Sequence, residues 1–151
     1  MPNDPSVPSL SFDKRGAIDA FLEKVRFIES IRKRLSPTTI TTINEIGTII
    51  GEMDGKDIPD DYWNLSGAMY AYIFIELTKL GIDVAGESQL VGYPTQFPDV
   101  SMVNWNNGKP NARYSTLKLL KDNFGPGDKL VNTEVNNADI ISQAFITATG
   151  K

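Results

Sequence analysis

The sequence predicts an α/β fold, in which helices alternate with the strands of a parallel β-sheet. Three segments have the apolar spacing of helices, and two short segments between them are rich in β-branched residues. The resulting order is helix, strand, helix, strand, helix, which is typical of repeated β/α units. Residues 128–151 differ, because their alternating polarity predicts antiparallel strands of a separate β module.

The first predicted helix runs from about Asp13 to Leu35. One apolar stripe defines it, with residues that recur every three or four positions: Ile18, Phe21, Leu22, Val25, Ile28, Ile31 and Leu35. Ser36-Pro37 ends the helix, since a residue before proline disfavours the α conformation. Residues 1–11 are polar and proline-rich, so they are predicted to be a linker and not a signal peptide.

Two strands are predicted, with a helix between them. The first spans about Thr38 to Ile43, where β-branched residues and the near absence of charge indicate a buried parallel strand. The second spans about Asp83 to Gln89. The intervening helix, about Tyr62 to Leu80, is apolar nearly all round, which predicts that it is covered on more than one side. A third helix, about Ala112 to Phe124, ends at a Gly-Pro-Gly sequence.

The composition excludes several classes of function. The net charge is −4 and no stripe of Lys and Arg is present, so the sequence predicts no basic surface that would bind nucleic acid. The longest apolar stretch falls far short of the roughly 20 residues of a membrane span. Cysteine and histidine are both absent, which excludes disulfides, zinc sites built from Cys and His, and His-based catalysis. A calcium site built from carboxylates stays open, but Asp54–Asp57 lacks the ligand density of an EF-hand loop, so we expect no metal and no cofactor. Any chemistry would fall to carboxylates, Tyr and Lys.

A series of short segments resembles the carboxyl-terminal part of clan A glycoside hydrolases, most closely glycoside hydrolase family 39. The series covers about Phe12 to Val131. It consists of these segments in order: Asn44–Gly47, Tyr62–Ala68, Leu80–Gln89, Met102–Asn106 and Lys109–Arg113.

The resemblance implies part of a (β/α)₈ barrel. In that family an acid/base Glu follows the fourth strand, a nucleophile Glu follows the seventh, and a small β-sandwich accompanies the barrel. Because a complete barrel takes about 250 residues, residues 12–127 would supply its last two β/α units preceded by one helix. Residues 128–151 would begin the sandwich. The expected partner is the missing part of the barrel, or a second copy joined through open strand edges.

Glu45 is, by this resemblance, the nucleophile of a retaining mechanism, in which two carboxyl groups act on one glycosidic bond. It follows the first predicted strand, at the end where α/β barrels hold their catalytic groups. Asn44 would hold this carboxylate or a sugar hydroxyl, or else fill a hydrogen-bonding role at the strand end. Glu87 would bind substrate or tune the pKa of its neighbour, while direct pairing with Glu45 and a structural role both stay open.

Gln89, Tyr93 and Trp105 are the further residues predicted to contact a carbohydrate substrate. The aromatic rings would stack on sugar rings, with local packing as the alternative. The acid/base residue of the family lies outside this chain. The predicted function is therefore that of a retaining glycosidase fragment that is inactive alone. The alternative is a non-catalytic module that binds carbohydrate or mediates association. The sequence does not indicate the compartment.

Overall fold

The computed structural model describes residues 12–47, 58, 60–91, 101–137 and 140–150. Helices and strands alternate along much of this part of the chain, which confirms the α/β class. In chain order the elements are α1 (Phe12–Leu35), β1 (Thr42–Ile46), α2 (Asp60–Leu80), β2 (Val84–Glu87), α3 (Ala112–Asn123), β3 (Lys129–Val131) and β4 (Ala144–Ile146). The predicted linker, 1–11, lies outside the described residues. None of the described helices is long and apolar enough to cross a bilayer.

The strands β1 and β2 pair in parallel, with α2 as the connection between them. Thr42 lies opposite Val84, and Ile46 lies opposite Glu87. The register shifts between these pairs, because β1 contains one residue more than β2 over the same length. The pairing aligns the carboxyl ends of the two strands, as the sequence predicted.

The expectation of a partial (β/α)₈ barrel with the start of a β-sandwich is wrong. β1 pairs with β2 in one two-stranded sheet, and β3 pairs with β4, antiparallel, in another. A barrel requires many tilted strands that close on themselves, and a sandwich requires two sheets stacked face to face. The described residues contain four strands of three to five residues each, which supply neither arrangement. Whether the chain divides at residue 128 stays a prediction.

The main core lies between one face of the β1–β2 sheet and the helices α1 and α2. Its buried residues come from all three elements: Ile18, Leu22, Val25, Ile46, Ile73 and Leu77. Ile43 of β1 packs against the same core, whereas Thr42, Asn44 and Glu45 are exposed. The prediction that this strand is fully buried is therefore wrong, because only one of its faces is covered.

The helices α2 and α3 approach closely at Gly67. A Cβ atom at this position would lie 3.1 Å from both the Cβ of Ala112 and the Oγ1 of Thr116. The hydroxyl of Thr116 donates to the Gly67 carbonyl at 3.3 Å. At the far end of α3, the rings of Phe124 and Phe145 lie 4.4 Å apart and join the β3–β4 hairpin to the helix.

Candidate functional site

Glu45 and Asn44 lie within the last residues of β1, rather than after the strand as predicted. Both side chains are exposed. The neighbouring strand comes unusually close here, because a Cβ on Gly86 would stand 2.8 Å from the Asn44 carbonyl oxygen. Glycine at position 86 therefore allows the two strand backbones to approach this closely beside the exposed side chains of Asn44 and Glu45.

Glu87 occupies a different environment, half-buried at the end of β2. The Tyr70 hydroxyl of α2 lies 2.9 Å from Glu87 Oε1 and 3.1 Å from the carbonyl oxygen of Ile46. A tyrosine hydroxyl has one proton, so it donates to one of these oxygens at a time. Both hydrogen bonds form together when Glu87 is protonated and donates to the tyrosine oxygen.

Burial raises the pKa of Glu87 to about 7, against the lowering effects of the Tyr70 hydrogen bond and the Arg113 charge. Burial and the nearby Glu87 carboxyl likewise raise the pKa of Tyr70. Glu87 is therefore a carboxyl group that changes protonation near neutral pH, and the Tyr70 phenol in contact with it stays protonated. Such a group can donate or accept a proton at ordinary pH.

Arg113 is fully buried beside this pair. Its guanidinium carbon lies between 5.2 and 5.9 Å from the ring centres of Tyr62, Trp63 and Tyr70. Its Nε donates to the Ser66 hydroxyl of α2. The guanidinium thus links α3 to α2 through aromatic faces, and cation–π attraction favours this arrangement.

Among the described residues, no hydrogen bond joins Glu45 to Glu87, and the two side chains have different surroundings. Ile43 and Ile46 face the core, so the exposed Glu45 projects from the other side of β1. Glu87 reaches toward Tyr70 on the helical side. The opposite placement leaves the predicted roles of both residues as predictions, and argues against their acting together on one bond.

The remaining predicted site residues fall in different places. Gln89 adopts a left-handed backbone with φ of +63°, and its buried Oε1 atom has no hydrogen-bond partner among the described residues. Trp105 is 55% exposed in a turn between β2 and α3. Tyr93 lies outside the described residues.

A cleft of about 450 Å³ opens between β2 and α3, with Glu87 in its wall. Its other lining residues are largely apolar, with charged side chains from α3: Phe74, Ala85, Leu90, Met102, Tyr114, Leu117, Lys118, Leu120, Lys121 and Asp122. The cleft keeps Glu87 accessible to small molecules on the helical side of the sheet.

A second recess, which we call the amide recess, lies between the first turns of α2 and α3. It has a volume of about 470 Å³. Polar side chains dominate its lining: Asp60, Trp63, Asn64, Asn104, Asn107, Lys109, Pro110, Asn111, Ala112 and Ser115. Sequence reasoning missed this recess, although the density of asparagines between residues 104 and 111 was a signal. It also gave no role in a site to Tyr70 or Arg113.

Among the described residues, no group of three or more acidic side chains is arranged to hold a metal ion. Comparison of the chain with protein-family models, curated proteins and solved structures finds no match in any of the three. The resemblance to glycoside hydrolase family 39 therefore stays a prediction from the quoted residues.

Proposed function

We propose that this chain binds carbohydrate at the carboxyl end of β1 and does not hydrolyse it by itself. The observation that carries the proposal is the opposite placement of Glu45 and Glu87. Retaining hydrolysis needs two carboxyl groups about 5–5.5 Å apart across the bond. A Glu87 that faces Tyr70 on the helical side does not meet this need for a sugar bound at the exposed Glu45.

Support for binding comes from the chemistry of the exposed strand end. The carboxylate of Glu45 accepts hydrogen bonds, while the Asn44 amide both donates and accepts. Together they match the vicinal hydroxyls of a sugar ring. Ligands of open α/β sheets also bind outside the carboxyl ends of the strands. The resemblance in sequence points to the same class of ligand.

Titration of the full chain with neutral mono- and disaccharides, followed by backbone amide NMR, tests the proposal. We expect saturable shifts around residues 44–47 at millimolar sugar, and weaker binding in Glu45→Gln, which loses an anionic acceptor. Glu134→Gln, the same change at an exposed residue after β3, serves as the matched control. Shifts that are absent at the strand end, or release of nitrophenol from aryl glycosides, would contradict the proposal.

A second candidate function is that of a glycosidase nucleophile completed by another chain. The exposure of Glu45 favours it, because the carboxylate is accessible to a second chain. In that case Glu45 attacks the anomeric carbon once a partner supplies the acid. A glycosyl donor with a dinitrophenolate leaving group needs no acid, because the leaving group departs as a stable anion. Incubation with a 2-deoxy-2-fluoro donor of this kind would form an ester at Glu45 as the bond to dinitrophenolate breaks. Mass spectrometry then separates the two functions: an ester supports the nucleophile, and an unlabelled chain supports binding alone.

A further inference from the structure

We infer that the amide recess is a separate binding subsite for one neutral, hydroxyl-rich ring, such as a sugar residue. This inference rests on the proposed function for its ligand class. It concerns residues to which the sequence analysis gave no role in binding, apart from the neighbouring Trp105. The recess volume of about 470 Å³ is within the range of small-molecule sites in proteins.

The lining supplies the groups that recognise hydroxyls. Four of its side chains are carboxamides: Asn64, Asn104, Asn107 and Asn111. A carboxamide has two N–H donors and one carbonyl acceptor, so a pair of them can bind adjacent hydroxyl groups. Asn111 already donates to the Ser101 carbonyl and accepts from the amides of α3, so this role falls to the other three. The half-buried ring of Trp63 forms part of the same wall and provides an apolar surface for the C–H groups of a sugar.

Several of these groups still have hydrogen-bonding capacity. The Oδ1 of Asn104 accepts from the Asn106 amide at 2.9 Å, and the Oδ1 of Asn107 accepts from the Lys109 amide at 2.9 Å. Within the described part of the chain, the Nδ2 groups of Asn104 and Asn107 donate no hydrogen bond. Asn64 is exposed on the first turns of α2, with no recorded partner among the same residues. As far as the described residues go, a ligand can accept from these donors without breaking a hydrogen bond.

The charges of the recess favour a neutral ligand over an anion. Asp60 and Lys109 are the charged residues in the lining, and their opposite charges give no net attraction for either sign. The amino end of α3 is already capped, because Asn111 Oδ1 accepts from the amides of Arg113 at 3.0 Å and Tyr114 at 3.4 Å. The helix end is thus satisfied by the protein itself and is not the basis of the site.

The wall of the recess is held in place before any ligand arrives. The Asn104 amide donates to the Lys109 carbonyl at 2.9 Å, and the Gly108 amide donates to the Asn104 carbonyl at 2.8 Å. The Asn111 amide in turn donates to the Met102 carbonyl at 2.9 Å. A site that is already ordered loses little conformational entropy on binding, so even a small polar ligand can be retained.

Tryptophan fluorescence gives a local readout, because the two tryptophans of the chain are Trp63 in the wall and Trp105 in the adjoining turn. Titration of the full chain with glucose, xylose, galactose and their disaccharides is expected to change this emission saturably for at least one sugar. Trp105→Phe leaves the Trp63 signal alone, and we expect the change to persist in that variant. No change with any of these sugars would overturn the inference.

The variants that test the lining keep the fold. Asn64→Ala removes one amide from a helical position where alanine is favoured. Asn104→Asp keeps the oxygen that accepts from Asn106 and removes the Nδ2 donor. We expect each variant to weaken sugar binding about tenfold, the usual effect of losing a hydrogen-bonding partner in a site. Asn123→Ala, at the other end of α3, is the matched control and is expected to bind as the unaltered chain does.

The outcomes also separate this inference from the proposed function. If Glu45→Gln weakens binding while Asn64→Ala and Asn104→Asp do not, the recess subsite is wrong and binding at β1 stands. If the recess variants weaken the fluorescence response and Glu45→Gln does not, the recess subsite stands without the strand-end site. Inorganic phosphate is the competing probe, and its displacement of the sugar at millimolar concentration would overturn the choice of a neutral ligand.

Discussion

At the scale of single residues, the hydroxyl of Tyr70 links Glu87 to the end of β1. It lies within hydrogen-bond distance of two oxygens, on Glu87 and Ile46, and has one proton to share. Ionised Glu87 would compete with the Ile46 carbonyl for that proton, whereas protonated Glu87 leaves both bonds intact. The pKa of Glu87 is nevertheless set mainly by burial, which raises it against the lowering effects of the Tyr70 hydrogen bond and the Arg113 charge.

The raised pKa of Glu87 makes stability depend on pH in one window. The folded chain binds this proton more tightly than the unfolded chain, whose carboxyl has the ordinary pKa of 4.5. The stabilisation is fully present below 4.5 and is lost as the pH rises through about 7. We expect Glu87→Gln to remove this loss. At pH 8 the free energy of unfolding of the variant should then be about 1 kcal/mol higher than that of the unaltered chain, a figure that allows for solvent screening of a half-exposed group.

Thermal unfolding at about pH 5 and about pH 8 measures the effect. Glu45→Gln is the control, because this carboxylate is exposed and lacks the contact with Tyr70. Parallel pH profiles for Glu87→Gln and the unaltered chain would show that the carboxyl does not titrate in this window.

At the scale of the elements, the contact between β1 and β2 depends on Gly86. Gly86→Ala would place a methyl group 2.8 Å from the Asn44 carbonyl oxygen, and backbone cannot rotate out of the way as a side chain can. We expect a loss of about 1–3 kcal/mol in the free energy of unfolding, as for other overpacked sites. Chemical denaturation at neutral pH measures it.

Gly16→Ala is the matched control for this substitution. Gly16 lies within α1, and a Cβ there meets nothing within 4 Å. Alanine in a helix interior is more stable than glycine by about 0.5–1 kcal/mol, so this variant should gain stability. Equal effects of both substitutions would mean that the strands separate easily at Gly86.

The helices could be predicted from the sequence, whereas the start of β1 could not. Periodic apolar residues gave α1 and α3 to within one residue at each end. The predicted strand began at Thr38, but Thr39 is held in a turn after α1, since its amide donates to the Ser36 carbonyl at 3.1 Å. Arg32 also donates to the Thr39 carbonyl at 2.6 Å. Such contacts override β-propensity and depend on the helix that precedes them.

The candidate sites were predictable to different degrees. The exposed Glu45 at the end of β1 followed from a local pattern of strand and glycine. The amide recess combines residues 60–64 with residues 104–115, which are far apart in sequence. Likewise, the contact between Glu87 and Tyr70 depends on how α2 lies across the sheet. No local pattern specifies these distant contacts.

At the scale of the whole molecule, the β1–β2 sheet ends at its own two strands in the described residues. In this part of the chain each strand therefore has an outer edge without a partner strand. Several apolar side chains nearby are exposed, among them Ile40 at 65% and Val84 at 51%. Unpaired strand edges promote association between chains. We expect the isolated chain to self-associate as its concentration rises, as the sequence also predicted.

Light scattering coupled to size-exclusion chromatography measures this association over a range of concentrations. Val84→Lys is expected to shift the chain toward the monomer, because a charge beside the edge disfavours pairing with another strand. The control is Leu119→Lys, the same kind of change at an exposed apolar residue of the helix α3, away from any strand edge. A chain that stays monomeric throughout would rule out edge-driven association.

Helix α2 takes part in two packed regions of the described chain. Ile73 and Leu77 join the core beneath β1, while Ser66 and Gly67 contact α3. Neither region can form while α2 is unfolded, so opening of this helix requires loss of both at once. Its amide hydrogens in the middle turns should consequently exchange with deuterium more slowly than those of α3, which can detach while the α1–β1–α2 core persists.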